Sequence, residues 1–354
     1  MTGIPLASEP AADVALAIGV VALVVTMGLL LQGLRLRVQA ARRAQHGEAV
    51  QALWQPLLTR AAAGEAVDLP ALAPADAVPM LALWNQRQDA LRGTAHEALN
   101  ALLVRIGAYA IAQAWARQRG LGRRLLGVAT LGHVGHAADW KLVRAASTAP
   151  SALLGFAAAR ALLQIDAAAA VPRVLDEFLR RSDWPVAPLG TLLRESGAAG
   201  VGPAVAERLL GGTAEQQLKL LPLALLTEGP ASEPLAHQVL DRSEDPAVLA
   251  LALQMLYGPA SLPRVRTLLD HADWEVRSQA ALALGRIGQP IDRARLIALL
   301  SDREWWVRYR AARALVAMPG LDLRTLRVLR AGLEDRYAQD MLEQVLAERE
   351  LERG

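Results

Sequence analysis

"WEVRSQAALALGRIG", Trp274 to Gly288, is followed one short loop later by "WWVRYRAARALVAMPG", Trp305 to Gly320. A displacement of 31 residues sets Trp274 on Trp305, Val276 on Val307, Arg277 on Arg308, Ala280 on Ala311 and Leu284 on Leu315. With Val276 as the zero position, the same apolar frame falls at Ala95, Arg123, Leu154, Pro185, Leu218, Val248, Val276 and Val307. A period near 30 that recurs roughly eight times marks a repeat architecture rather than one globular core.

Within a unit, Val276, Ala280, Ala283, Leu284 and Ile287 follow helical spacing, so one face of a first helix is buried. A second apolar run such as "RARLIALL", Arg293 to Leu300, follows a Gly or Pro break, and each unit reads as a helix hairpin. "LVRIG" ending at Gly107, "LGHVG" at Gly135 and "LGRIG" at Gly288 should close first helices, glycine being the residue that tolerates the left-handed stop. Three positions before the zero mark stand Arg92, Gly120, Ser151, Ser182, Glu215, Asp245, Asp273 and Glu304. Most are side chains that accept from free helical amides, as an N-cap requires.

The frame "D-x-x-V-R-x-x-A-A-x-A-L-G-x-I-G" resembles the short HEAT repeats of the phycobilisome-lyase type, over about Ala95 to Leu333. The resemblance implies an α-solenoid, with hairpins stacked side by side and an extended surface for binding. With the uncharged run from Val14 to Leu34 ahead of the repeats, the chain resembles bacterial membrane-tethered HEAT proteins, some of which look like accessory components of envelope or polysaccharide-export machinery.

Composition agrees with an all-α chain. Apolar residues make up 53% and aromatics 4%, and no β-branched alternating runs occur. There is no cysteine, which removes disulfides, thiolate nucleophiles and zinc-thiolate or iron-sulfur ligation. The net charge is only +3, with acids interspersed among arginines, so no electrostatic footprint for nucleic acid emerges.

From Val14 to Leu34, "VALAIGVVALVVTMGLLLQGL" runs without a charge. About 20 apolar residues span a bilayer as a helix. A buried core helix and a cleaved signal peptide are the competing readings, but the leader "MTGIPLASEPAADVA" carries Glu9 and Asp13 and no basic residue. Arg35, Arg37, Arg42 and Arg43 follow the run, and positive charge on that flank places it in the cytoplasm. The expected order is a short tail over 1–13, a transmembrane helix over 14–34, and juxtamembrane helices and a linker over 35–94. The repeat solenoid follows over 95–332 and a capping helix over 333–354. Localisation is then a bacterial inner membrane crossed once, with the N-terminus outside and the repeats in the cytoplasm.

The search for chemistry returns little. The di-iron deoxyhypusine hydroxylases, which the chain partly resembles, place His-Glu pairs on several first helices, whereas here the pair occurs once, as His96-Glu97. His133 and His136 bracket a helix end and read as solvated or capping residues. No Gly-rich phosphate loop and no nucleophile elbow is present. No catalytic residue, metal ligand or cofactor is therefore assigned, and no small-molecule substrate is expected. An enzyme or enzyme subunit related to bilin lyases or di-iron hydroxylases is the alternative reading.

What differs between the two copies points to a partner. Trp274/Trp305 and Arg277/Arg308 recur, and recurrence is what packing between repeats predicts. Trp306, Arg310 and Arg313 do not recur; they replace Glu275, Gln279 and Leu282 along one helix face. A Trp/Arg stripe has the composition of a protein-binding hot spot, with Tyr309 beside it. The equal alternative is a face on which Trp306 packs against the last helices.

Overall fold

A computed structural model describes residues 9–318 and 320–351, with side chains described at residues 27 and 29 and from 31 onward. Every regular element among the described residues is helical. The chain divides into two compact units, Met1–Val134 and Gly135–Gly354.

The first unit contains α1 (Glu9–Ala62), α2 (Ala77–Ala90), α3 (Thr94–Arg105), α4 (Ala108–Ala116) and α5 (Leu121–Val134). Its core draws Trp54 and Leu58 from α1, Met80 and Trp84 from α2, Leu99 and Leu103 from α3, and Trp115 from α4. The Trp84 indole N–H donates to the Leu99 carbonyl at 3.0 Å, so a large ring is buried without an orphaned donor. Helices α1 and α2 share this core with α3, α4 and α5.

Helix α1 begins at Glu9, within the stretch expected as a tail. Among the described residues no helix is long and apolar enough to cross a membrane. The expected span over 14–34 lies largely outside them, since the side chains of 9–26, 28 and 30 are not described. Where side chains are described, Met27, Leu29, Leu31, Leu34, Leu36 and Val38 are all exposed, and so are Arg35, Arg37, Arg42 and Arg43.

The second unit is built from alternating helices. These are α6 (Trp140–Ser147), α7 (Ala152–Ile165), α8 (Ala167–Arg180), α9 (Val186–Glu195), α10 (Val201–Gly211), α11 (Ala214–Glu228) and α12 (Glu233–Arg242). After them come α13 (Pro246–Leu253), α14 (Leu262–Leu268), α15 (Trp274–Ile287), α16 (Arg293–Leu299), α17 (Trp305–Ala317), α18 (Leu323–Ala331) and α19 (Arg336–Leu351). Helices α9, α11, α13, α15, α17 and α19 pack in succession as one row, and α8, α10 and α12 pack as a second. Nearest-neighbour stacking of this kind defines an α-solenoid.

Close approach within the rows depends on small residues. A Cβ on Gly285 of α15 would lie 2.6 Å from the Cα of Ala314 in α17. Gly107 and Gly135 do adopt the left-handed conformation expected of them, but Gly288 is extended at φ −67°. Its reason is space: a Cβ there would lie 2.3 Å from the Leu284 carbonyl oxygen.

The N-caps correct part of the frame. Ser151, Asp245 and Asp273 accept amide hydrogen bonds from their helices, at Leu154, Val248 and Val276 among others. Glu304 occupies the cap position without a side-chain bond. Helix α11 is capped by Thr213 in a reciprocal box with Gln216, not by Glu215, and α9 starts after Pro185, not Ser182. Helix α3 starts after Gly93, one residue beyond Arg92, and Gly120 stands directly ahead of α5.

Candidate partner-docking surface

The start of α17 is held from the preceding loop. The Glu304 amide donates to Asp302 Oδ1 at 2.9 Å, which fixes the cap residue to the loop before it. Val307, Ala311, Ala314 and Leu315 then bury the inner face. That registry turns Trp306, Arg310 and Arg313 outward together, as residues spaced four and three apart on a helix must be.

The outer face divides into two parts. At the N-terminal end Trp305 and Trp306 are 40% and 51% exposed, and their rings meet edge to face at 4.8 Å. Trp305 also stacks on Tyr309 at 5.2 Å, and Trp306 meets Tyr309 edge-on at 6.2 Å. Toward the C-terminal end the face approaches α19. The Tyr309 hydroxyl donates to Glu348 Oε2 at 2.9 Å, and this bond to a carboxylate raises the phenol's pKa above its ordinary value. Arg349 donates to the Val316 carbonyl, and Arg313, exposed, borders a cleft of about 240 Å³ with Val345 and Glu348. Arg310 is half-buried and its Nη1 has no hydrogen-bond partner.

The contact to the last helix is made by Tyr309 and not, as the alternative sequence reading had it, by Trp306. Tyr309 is tied to the last helix, and Trp306 is open to solvent on a three-ring cluster. Glu348 was not visible in sequence as a partner, because the intervening loop hides its register. Trp274 and Trp305 were read as rings packed at helix starts; both are exposed instead, and Tyr337 near the start of α19 is exposed as well. The cause is their position in the first turn, where the side chain lies beyond the layer that neighbouring helices cover.

The recurring arginines act as expected at one position and differently at the other. Arg277 reaches the next repeat, with Nε 2.8 Å from Asp302 Oδ2 and Nη2 2.9 Å from Asp302 Oδ1. Arg308 instead donates to the carbonyls of Asp302 and Arg303, in the loop leading into its own helix. The second-helix row has its own links: Arg266 forms a paired bond to the buried Asp292, and Glu233 accepts from the Gly258 amide and the Ser261 hydroxyl. Much of the arginine content is thus engaged in joining one repeat to the next.

In the first unit, His133 is buried, with Nε2 3.2 Å from Asp89 Oδ1 and its ring edge-on to Trp84. It is not the solvated residue the sequence suggested, because helix α5 continues through it to Val134. His136 is exposed. His96 lies 6.5 Å from His133 ring to ring, but among the described residues no group of three or more metal-ligating side chains forms.

A family model for HEAT repeats matches residues 233–316, from the start of α12 to nearly the end of α17. The protein contains HEAT repeats, and the Trp305/Trp306 cluster lies inside the matched segment. Comparison with curated proteins gives no match.

Proposed function

We propose that this protein is a non-enzymatic scaffold, held at the cytoplasmic face of a bacterial inner membrane by residues 14–34, whose HEAT repeats dock a protein partner. The observation that carries the docking reading is Trp306: half-exposed, braced by Trp305 and Tyr309, and next to Arg310 and the exposed Arg313. An aromatic ring held in place loses little freedom on binding, which is why tryptophan and arginine dominate interface hot spots. Membrane attachment is supported by the uncharged run in sequence and by the exposed apolar side chains at its end, Met27, Leu29, Leu31 and Leu34. The four exposed arginines that follow suit an anionic cytoplasmic leaflet. The resemblance to membrane-tethered HEAT proteins extends the proposal to an accessory subunit of envelope or polysaccharide-export machinery.

The test is affinity purification from native membranes in mild detergent, comparing the intact chain, a chain lacking residues 1–34, and a Trp306→Ala/Arg310→Ala chain. A stoichiometric membrane protein should accompany the intact chain and be lost with the double change while the helical content is kept. Retention of that protein by the double variant would move docking off α17. Orientation is read separately: the chain has no cysteine, so one introduced at Thr2 can be probed with an impermeant thiol reagent. Labelling from the outer side supports the topology, and protection there overturns it.

A further inference from the structure

A groove runs between α6 and α8, far along the chain from the tryptophan cluster. Its deeper part is a cleft of about 320 Å³ bordered by Lys141, Arg144 and Thr148 on one side and by Arg173, Asp176 and Glu177 on the other. The acids of this wall already have cations. Asp176 is 2.8 Å from Arg208, and Glu177 is bound by Arg180 and lies 3.6 Å from Arg181. Lys141, Arg144 and Arg173, all exposed, have no side-chain hydrogen bond or ion pair in the structure. Three uncompensated positive charges therefore converge on one cleft.

Lys141 also borders a second, more apolar cleft of about 500 Å³, formed with Ala138, Trp140, Ile165 and Ala169. Asp166, Ala169, Arg173, Asp176 and Arg180 share one face of α8, so the two clefts follow one helix from its first turn to its last. At 1.5 Å per residue that face is about 20 Å long, the length of about six extended residues. An elongated ligand matches this shape better than a compact oxyanion, which would fill only one part of it.

We infer that the α6/α8 groove is a binding site for an acidic protein segment, whose carboxylates meet Lys141, Arg144 and Arg173 and whose apolar side chain enters the cleft beside Trp140. The inference rests on the scaffold reading in one respect, that the ligand is protein, and it assigns a surface separate from α17.

The probe is a fluorescein-labelled peptide of glutamates with one central leucine, titrated against the full chain in detergent and followed by anisotropy. Saturable binding that weakens with salt is expected, with no binding of the same peptide carrying glutamines. Lys141→Glu/Arg144→Glu/Arg173→Glu should lower affinity roughly tenfold or more. Ala169→Trp should weaken the leucine-bearing peptide and spare an all-glutamate one. Circular dichroism of each variant confirms folding, and Arg144→Lys/Arg173→Lys, which keeps the charge, should retain binding. Trp306→Ala/Arg310→Ala should leave the titration unchanged, so loss of the membrane partner and loss of this peptide are separable outcomes. Equal affinity in the charge-reversed chain overturns the assignment. So does failure of the peptide together with saturable, charge-dependent binding of inorganic phosphate or of phosphatidylglycerol vesicles.

Discussion

Arg277 on α15 and Asp302 ahead of α17 form a two-bond pair, with both side chains nearly buried, that ties one repeat to the next. Arg277 also donates from Nη1 to the carbonyls of His271 and Ala272, both at 2.9 Å, so its charge is satisfied on two sides. Removing one member leaves the other buried and unpaired. Arg277→Ala should lower stability by about 3 kcal/mol. Asp302→Ala should cost at least as much, since the Glu304 amide loses its acceptor too. A double-mutant cycle in urea checks this: the two losses should be far from additive, and additive losses would mean that the pair is not coupled.

Acid should act through the same links. Burial works against ionised Asp302, but the bonds from Arg277 and the Glu304 amide outweigh it and hold its carboxyl below the usual range. Asp292 is lowered chiefly by Arg266, and Glu233, despite burial, by Ser261 and the Gly258 amide. A carboxyl with a depressed folded pKa stabilises fully above its unfolded value and loses that contribution as pH falls through the folded one. Stability should therefore hold through neutral pH and decline below about pH 4. Arg266→Met should be less stable at neutrality and lose less on acidification; an unchanged acid slope in a melting series would count against the link.

The contact between α15 and α17 is set by Gly285. An added Cβ would lie within 3 Å of both Ala314 Cα and Cβ, and backbone cannot step aside as a side-chain end can. Gly285→Ala should cost about 1–3 kcal/mol as an overpacked helix contact. Gly211, at the end of α10 with nothing near its Cβ position, is the comparison. Gly211→Ala should be neutral or stabilising by up to about 1 kcal/mol. Equal melting temperatures for the two variants would remove the steric account.

How far the repeats were legible depended on where the frame was strong. At α15 and α17 the buried Val, Ala and Leu positions and the first helical residue follow directly from the spacing. In the middle, at α9 and α11, the caps shift by two or three residues, because an apolar frame locates a helix face and not its end. Helix α11 shows the cost of that ambiguity. Thr213→Ala should destabilise by about 1 kcal/mol through loss of the cap. Glu215→Ala, which loses only an exposed pairing to Lys219, should change stability by less than about 0.5 kcal/mol. The reverse ranking in thermal melts would restore the sequence-derived frame there. The α6/α8 groove and the Tyr309 to Glu348 contact were not legible, since each depends on how separate helices are brought side by side.

Tyr309 and Glu348 are 39 residues apart in sequence and bonded at 2.9 Å, and this bond braces the exposed tryptophans from behind. If the brace matters, its loss should be felt at Trp305 and Trp306 before it is felt in the core. Tyr309→Phe keeps the ring stack and removes only the hydroxyl, so the expected stability loss is about 1 kcal/mol. Glu348→Gln leaves a neutral acceptor, and the Tyr309 phenol should then titrate closer to about 10, the ordinary tyrosine value. An ultraviolet titration of the intact chain and the Glu348→Gln chain measures that shift directly. With the carboxylate present, ionising the phenol sets two negative charges together and removes the shared proton, so the contact should open in strong alkali. Trp fluorescence should change with the same midpoint in the intact chain and lose that transition in Tyr309→Phe. A fluorescence transition that survives in Tyr309→Phe would show that it does not arise from the Tyr309–Glu348 contact.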